Sequence, residues 1–139
     1  MSVIQIIAIS LFVYLGSIGS IVGNTIGWYT LGRPLVASFV VGVIMGDLQT
    51  AMIVGIALQI MYMGNVTPGG AVAWDLSYAT YIGTAGALVF GTGMESTQVI
   101  GLAVVFAGIG GLVGQMVWNL SYALNLPLNR LANKYAEAG

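Results

Sequence analysis

Between Leu35 and Met63 the chain runs through an apolar stretch that carries one charged residue, Asp47. As a single straight helix this stretch would be about 43 Å long at 1.5 Å per residue. A bilayer's hydrocarbon core is only roughly 30 Å thick. Tilt absorbs part of that excess, but "GVIMGDLQTAMIVGIALQ" (residues 42 to 59) offers a better solution at Gly46-Asp47. Cutting there leaves two apolar pieces, each too short to span alone. Such pairs form a re-entrant hairpin or one broken helix, and the turn between them must be lined by protein or water.

Composition decides which solvent those pieces meet. Hydrophobic residues make up 58% of the chain and charged residues 5%, with three basic against four acidic side chains. Soluble domains carry about 25% charged residues, so lipid is the solvent here. The expected fold class is an all-α integral membrane protein, a single membrane domain over residues 1–139. Net charge is -1 with no basic cluster, which removes nucleic acid as a partner. Val3 to Ile21 lacks a preceding basic residue and a following small-residue cleavage site, so it reads as a retained helix. The chain has no Cys and no His. Disulfides, thiolate or imidazole metal sites and a phosphohistidine or phosphocysteine on this chain are thereby excluded, and no residue pattern asks for a cofactor.

Along the chain, residues 3 to 22 supply a first span, and "GNTIGWYTLGRP" follows with Trp28 and Tyr29 suited to a membrane interface. "GNVTPGGAVAWD" (64 to 75) reads as a loop, 76 to 91 as a further helix, and "GTGMES" as a turn. Thr97 to Leu124 reads as a long helix whose Gly101, Gly108, Gly110, Gly111 and Gly114 allow close helix–helix approach, with oligomer formation as the expected use of Gly108, Gly110, Gly111 and Gly114. From about residue 125 to 139, Leu126, Leu128, Leu131 and Tyr135 alternate with Arg130, Lys134 and Glu137, the pattern of an amphipathic surface helix. "LQTAMIVGIAL" (48 to 58) weakly echoes "MESTQVIGLAV" (94 to 104), a similarity within reach of low-complexity coincidence.

Two roles are open for Asp47. Directly after Gly46 and before a helical run, its carboxylate can cap the helix from residue 48, with Gly46 supplying the turn. Alternatively it binds a ligand or cation in a polar cavity, which would offset the roughly 2.5–3.5 kcal/mol cost of a charge in the bilayer centre. Gln59, Asn65, Thr67 and Asp75 form a second set, converging on the Gly-rich loop beside Trp74. Amides, a hydroxyl and a carboxylate bond vicinal hydroxyls, and an aromatic face stacks on a sugar ring. Each has an ordinary structural use as well: an inter-helix bond for Gln59, loop or cap roles for Asn65 and Thr67, an N-cap for Asp75.

"GRPLVASFVVGVIMGDLQTAMIVGIALQIMYMG", followed by a loop ending in Asp75, resembles the membrane subunit IIC of the mannose-fructose-sorbose family of bacterial sugar phosphotransferase systems. The resemblance rests on Arg33-Pro34-Leu35, on Gly42 with Gly46-Asp47 and Thr50, and on Ala57-Leu58-Gln59, and it extends over nearly the whole chain. It implies a sugar-translocating subunit in the bacterial plasma membrane, crossing it several times. It also implies a second membrane subunit, IID, as partner, and cytoplasmic IIA and IIB subunits that carry the phosphoryl group on histidines. The hexose-binding role carries over to Gln59 and Asp75, and less directly to Asn65 and Thr67. Gln59 stands where the family commonly has Glu, which removes a charge. Family members are about twice this length, so the chain corresponds to an N-terminal half, whether truncated, split or naturally short. The family also serves as a surface target for some antimicrobial peptides.

Two other readings compete. A half-length chain could serve as a non-transporting scaffold that stabilises a partner through its Gly-rich helix. An ion-coupled secondary transporter would instead use Asp47 and Asp75 as coupling sites. With Arg33, Arg130 and Lys134 as the only basic residues, the positive-inside signal is slight. It leans toward a cytoplasmic tail.

Overall fold

A computed structural model describes residues 1–17, 20–64 and 74–138. Helices α1 (Val3–Gly16), α2 (Pro34–Met45), α3 (Leu48–Tyr62), α4 (Leu76–Phe90) and α5 (Ser96–Ala138) are joined by a π-helix over Asn24–Leu31, and no strand occurs among the described residues.

Local chemistry sets most helix ends. Ser2 and Gln5 close a capping box at the start of α1. Pro34 opens α2 at a position where its missing N–H is no loss. Arg33, the residue before it, is extended at φ -78° and ψ 139°, and the π-helix meets α2 there at 78°. Gly46 ends α2 at φ 80°, a left-handed conformation that glycine adopts without steric cost. Its N–H and that of Asp47 both donate to Gly42 O, at 2.9 and 3.1 Å. The carboxylate of Asp47 then accepts the Thr50 N–H at 3.1 Å and starts α3.

α2 and α3 form an antiparallel hairpin around this turn. A methyl on Gly42 would lie 2.7 Å from Ala51 Cβ, and one on Gly55 would lie 2.6 Å from Ser38 Cβ, so the two backbones approach as closely as glycine permits. α4 and α5 make a second hairpin through Gly91 and the left-handed Gly93 (φ 81°), with Gly83 against Ala103 and Ala107. The two echoing segments thus lie at the start of the second arm of each hairpin.

α4 is the central helix. One apolar cluster joins Val54 and Leu58 of α3 to Ala79 and Ala87 of α4 and to Val99, Ala103 and Ala107 of α5. The other joins Ile9 and Val13 of α1 to Ala37 and Val41 of α2 and Tyr81 and Ala85 of α4. Hydroxyl groups also bind the helices together in the interior. Ser38 Oγ and Thr84 Oγ1 are 2.7 Å apart, the Ser77 hydroxyl donates to Gly16 O, and Tyr81 OH donates to Leu31 O at 3.1 Å.

Several expectations change. The first span, expected over residues 3 to 22, stops at Gly16 after 14 residues, about 21 Å. It stops because its carbonyl end abuts Gly32, where a methyl would lie 2.7 Å from Gly16 O, and because Ser77 takes that carbonyl. Trp28 faces inward at 7% exposure, while Tyr29 stays at the surface under Arg33, 5.6 Å from its ring centre. The tail is not a separate element. α5 continues through Pro127 for 43 residues, about 65 Å, and its last turns are exposed. Gly110, Gly111 and Gly114 pack against Tyr78, Trp74 and Asp75 of the same chain, whereas Gly101 and Gly108 have open space beside them. Among the described residues, one helix (Ser96–Glu137) is long and apolar enough to cross a membrane. The bent pair of the π-helix and α2 makes a second if counted as one span, and α1, α3 and α4 are shorter apolar helices.

Candidate functional site

Asp75 precedes α4, and its backbone N–H reaches Gly111 O on α5 at 3.4 Å. One carboxylate oxygen, Oδ1, accepts from the N–H groups of Ser77 (3.0 Å) and Tyr78 (3.1 Å), so Asp75 caps α4. Oδ2 accepts no hydrogen bond among the described residues, although the side chain is only 3% exposed. The close seat of α5 behind it depends on Gly114: a methyl there would lie 2.5 Å from Asp75 Cβ and 2.8 Å from Tyr78 Cβ.

Asp75 opens on a cavity of about 410 Å³ between α1, α4 and α5. α1 contributes Tyr14 and, just past its end, Ser17; α4 contributes Tyr78, and α5 contributes Gly114, Val117, Trp118, Ser121 and Asn125. That volume lies in the range of roughly 300–1,000 Å³ typical of small-molecule sites. Its lining combines hydroxyls, an amide, a carboxylate and aromatic faces, and includes no basic side chain. Uncharged polyols suit such a lining; anions do not.

The remaining sequence candidates fall elsewhere. Gln59 occupies the last turn of α3, and its Oε1 lies 3.5 Å from the Leu35 N–H, one of the donors left over at the start of α2. It lies at the same end of the bundle as Asp75 but does not line that cavity. Asn65 and Thr67 lie outside the described residues. Asp47 lines a separate pocket of about 160 Å³ with Thr50, Thr92 and Ser96, where the tips of the two hairpins meet. It faces the C-terminal end of α4, so α4's 15 residues, about 22 Å, separate it from Asp75. No group of three or more potential acidic metal ligands occurs among the described residues.

Tyr14, Ser17, Tyr78, Trp118, Ser121 and Asn125 do not stand out in the sequence as site residues. A signal for part of this set exists in the spacing: Gly114, Trp118, Ser121 and Asn125 recur every three or four residues and share one face of α5. That face reads as a binding wall only once α1 and the start of α4 are placed opposite it.

A family model described as the PTS system sorbose-specific IIC component matches residues 3–139. The chain belongs to this phosphotransferase-system IIC family. IIC proteins are membrane components, which accounts for the many large apolar side chains exposed on the outside of this fold. This IIC chain is 28% identical over 136 residues to the "PTS system mannose-specific EIIC component" of Escherichia coli (strain K12), covering 98% of this chain and 47% of that protein. It is 29% identical to the "PTS system sorbose-specific EIIC component" of Klebsiella pneumoniae, again over 98% of this chain and 47% of the relative. With the "Fructose permease IIC component" of Bacillus subtilis (strain 168) it shares 32% identity over 141 residues, covering 100% of this chain and 48% of the relative. The chain thus spans about half the length of the curated relatives it matches.

Proposed function

We propose that this IIC chain is a sugar-translocating membrane subunit. It binds an unphosphorylated hexose and presents it to a cytoplasmic phosphoryl donor. The observation that carries this reading is the Asp75 cavity: a buried carboxylate with one oxygen uncommitted among the described residues, facing hydroxyl, amide and aromatic groups. Membership of the family, and relatives named for mannose, sorbose and fructose, support the sugar class.

In this reading the phosphoryl group travels on IIA and IIB subunits, since this chain has neither His nor Cys to carry it. A IID subunit completes the pathway, and the chain crosses the bacterial plasma membrane more than once, with the α2–α3 hairpin entering and leaving from one side. Asn65 and Thr67 act as further sugar-binding residues, and Gln59, outside this cavity at the same end of the bundle, contributes less directly. Oligomer formation uses the open side of Gly108, since Gly110, Gly111 and Gly114 are occupied within the chain.

The test is phosphoryl-donor-dependent sugar uptake by the assembled complex with variants at Asp75. Asp75→Ala is expected to weaken sugar binding tenfold to a hundredfold, from about 1.5–3 kcal/mol for a bond to a charged group. Asp75→Asn caps α4 nearly as well but lacks the second ionised oxygen, so it should also bind poorly while assembling normally. Normal uptake in Asp75→Asn would reduce Asp75 to a helix cap. A scaffold role is favoured instead by one feature, the exposed apolar side chains Leu120, Leu124, Leu128 and Leu131 on the free half of α5. It predicts partner stabilisation without any sugar binding.

A further inference from the structure

The cavity's α5 wall is where sugar recognition beyond Asp75 would have to come from. Trp118 lines it, and Tyr122, one turn further along α5, meets the Trp118 ring edge-on at 5.0 Å and 82°. That arrangement restricts the indole's rotation and holds it as a platform. Asn125 Nδ2 donates to Ser121 O at 2.9 Å, which leaves Oδ1 as the amide's unused acceptor. Asp75 packs against Gly114, one turn before Trp118 on α5, and its Oδ2 accepts no bond among the described residues. A pyranose has one face of C–H groups with slight positive character and a rim of hydroxyl donors. The first fits the negative face of an indole, and the second fits carboxylate and amide oxygens.

We propose that Trp118 is the stacking platform for the sugar ring, with Asp75 and Asn125 accepting from its hydroxyls, and that the site takes the free sugar and rejects its phosphate ester. This rests on the sugar-subunit reading above. The discrimination follows from charge. No Lys or Arg lines the cavity, and a phosphate monoester brings about -1.5 to -2 charges at neutral pH toward an acidic side chain. Phosphorylation therefore turns a ligand of this wall into a poor one, and the product leaves without a separate displacement step.

The experiment is calorimetry on the complex assembled with its partner subunits. Mannose, fructose and sorbose serve as probes, with their phosphate esters as competitors. For a sugar that the wild-type complex binds, Trp118→Ala should raise Kd at least about tenfold, which is about 1.4 kcal/mol. Trp118→Phe should stay within a few-fold of wild type. Trp118→Leu keeps apolar bulk but no π-face, so it should resemble Ala. If Leu binds as well as Phe, the residue only packs and the stacking role is refuted. Should Trp118→Ala fail to assemble, Asn125→Ala at an exposed position decides: a several-fold higher Kd supports the wall, and an unchanged Kd overturns it. Competition by the phosphate ester as strong as by the free sugar overturns the charge argument. If the wild-type complex binds none of the three sugars, the sugar-subunit reading fails, and this proposal with it. Sugar binding that ignores every α5 variant leaves that reading intact and removes only the wall.

Discussion

Replacing Gly114 by alanine adds one methyl group at the tightest point between α4 and α5. The new Cβ would lie 2.5 Å from Asp75 Cβ and 2.8 Å from both Cβ and Cγ of Tyr78. None of these is the far end of a flexible side chain, so the helices must separate. Overpacking of this kind costs about 1–3 kcal/mol. Against it stands the gain of alanine over glycine inside a helix, about 0.8–1.0 kcal/mol. The net expectation is a loss of up to about 2 kcal/mol, together with weakening of the 3.4 Å bond from Asp75 N–H to Gly111 O. Gly101 is the control, because it lies on the same helix and a methyl there would meet nothing within 4 Å. Gly101→Ala meets only the propensity term and should be neutral or stabilising by up to about 1 kcal/mol. Thermal denaturation of the two variants in mild detergent, followed by loss of assembled complex, separates them. Equal midpoints would refute the claim that this glycine is used for close α4–α5 packing. A drop confined to Gly101→Ala would move the critical glycine contact to a partner subunit.

Three further outcomes are expected. Thr84→Val leaves the fully buried Ser38 hydroxyl without its 2.7 Å partner and should cost about 1–3 kcal/mol, while Ser38→Ala with Thr84→Val should recover most of it; a double variant as unstable as the single one in the same thermal assay would discount this bond. Gly46→Ala places a side chain at φ 80° and should cost about 1–2 kcal/mol, with Gly46→Asn milder, and equal midpoints for wild type and Gly46→Ala would remove the strained turn. Cysteines introduced at Leu35 and Ile60, both exposed at the open end of the α2–α3 hairpin, should react with an impermeant thiol reagent from the same side of the membrane; labelling from opposite sides would make this segment a continuous crossing.

What could be read from the residues alone was decided within a few positions of each residue, or by composition. Lipid as solvent follows from 5% charged residues in a chain that is 58% hydrophobic, whatever the fold. The break at Gly46-Asp47 is local as well. A left-handed glycine followed by a carboxylate capping the N–H three residues on requires no distant partner. The resemblance that pointed to a IIC subunit is likewise a property of residue order.

Tertiary structure decided where α1 ends, what the glycines do and which residues share a cavity with Asp75. Gly16 ends α1 because Ser77, 61 residues later, takes its carbonyl, and because Gly32 leaves no room to continue. The run of glycines on α5 reads equally well as an oligomer face or an internal seam until α4 is set against it. Gln59 and Asp75 are close in sequence, yet Gln59 is turned to the start of α2. Trp118 and Asn125, more than 40 residues further on, reach Asp75's cavity because α5 folds back antiparallel to α4. The physical reason is the same in each case. Capping and turn preferences act over three or four residues and are written in local spacing. Helix packing in lipid is set by matching small residues and hydroxyls across helices distant in sequence, and those matches exist only once the helices have met.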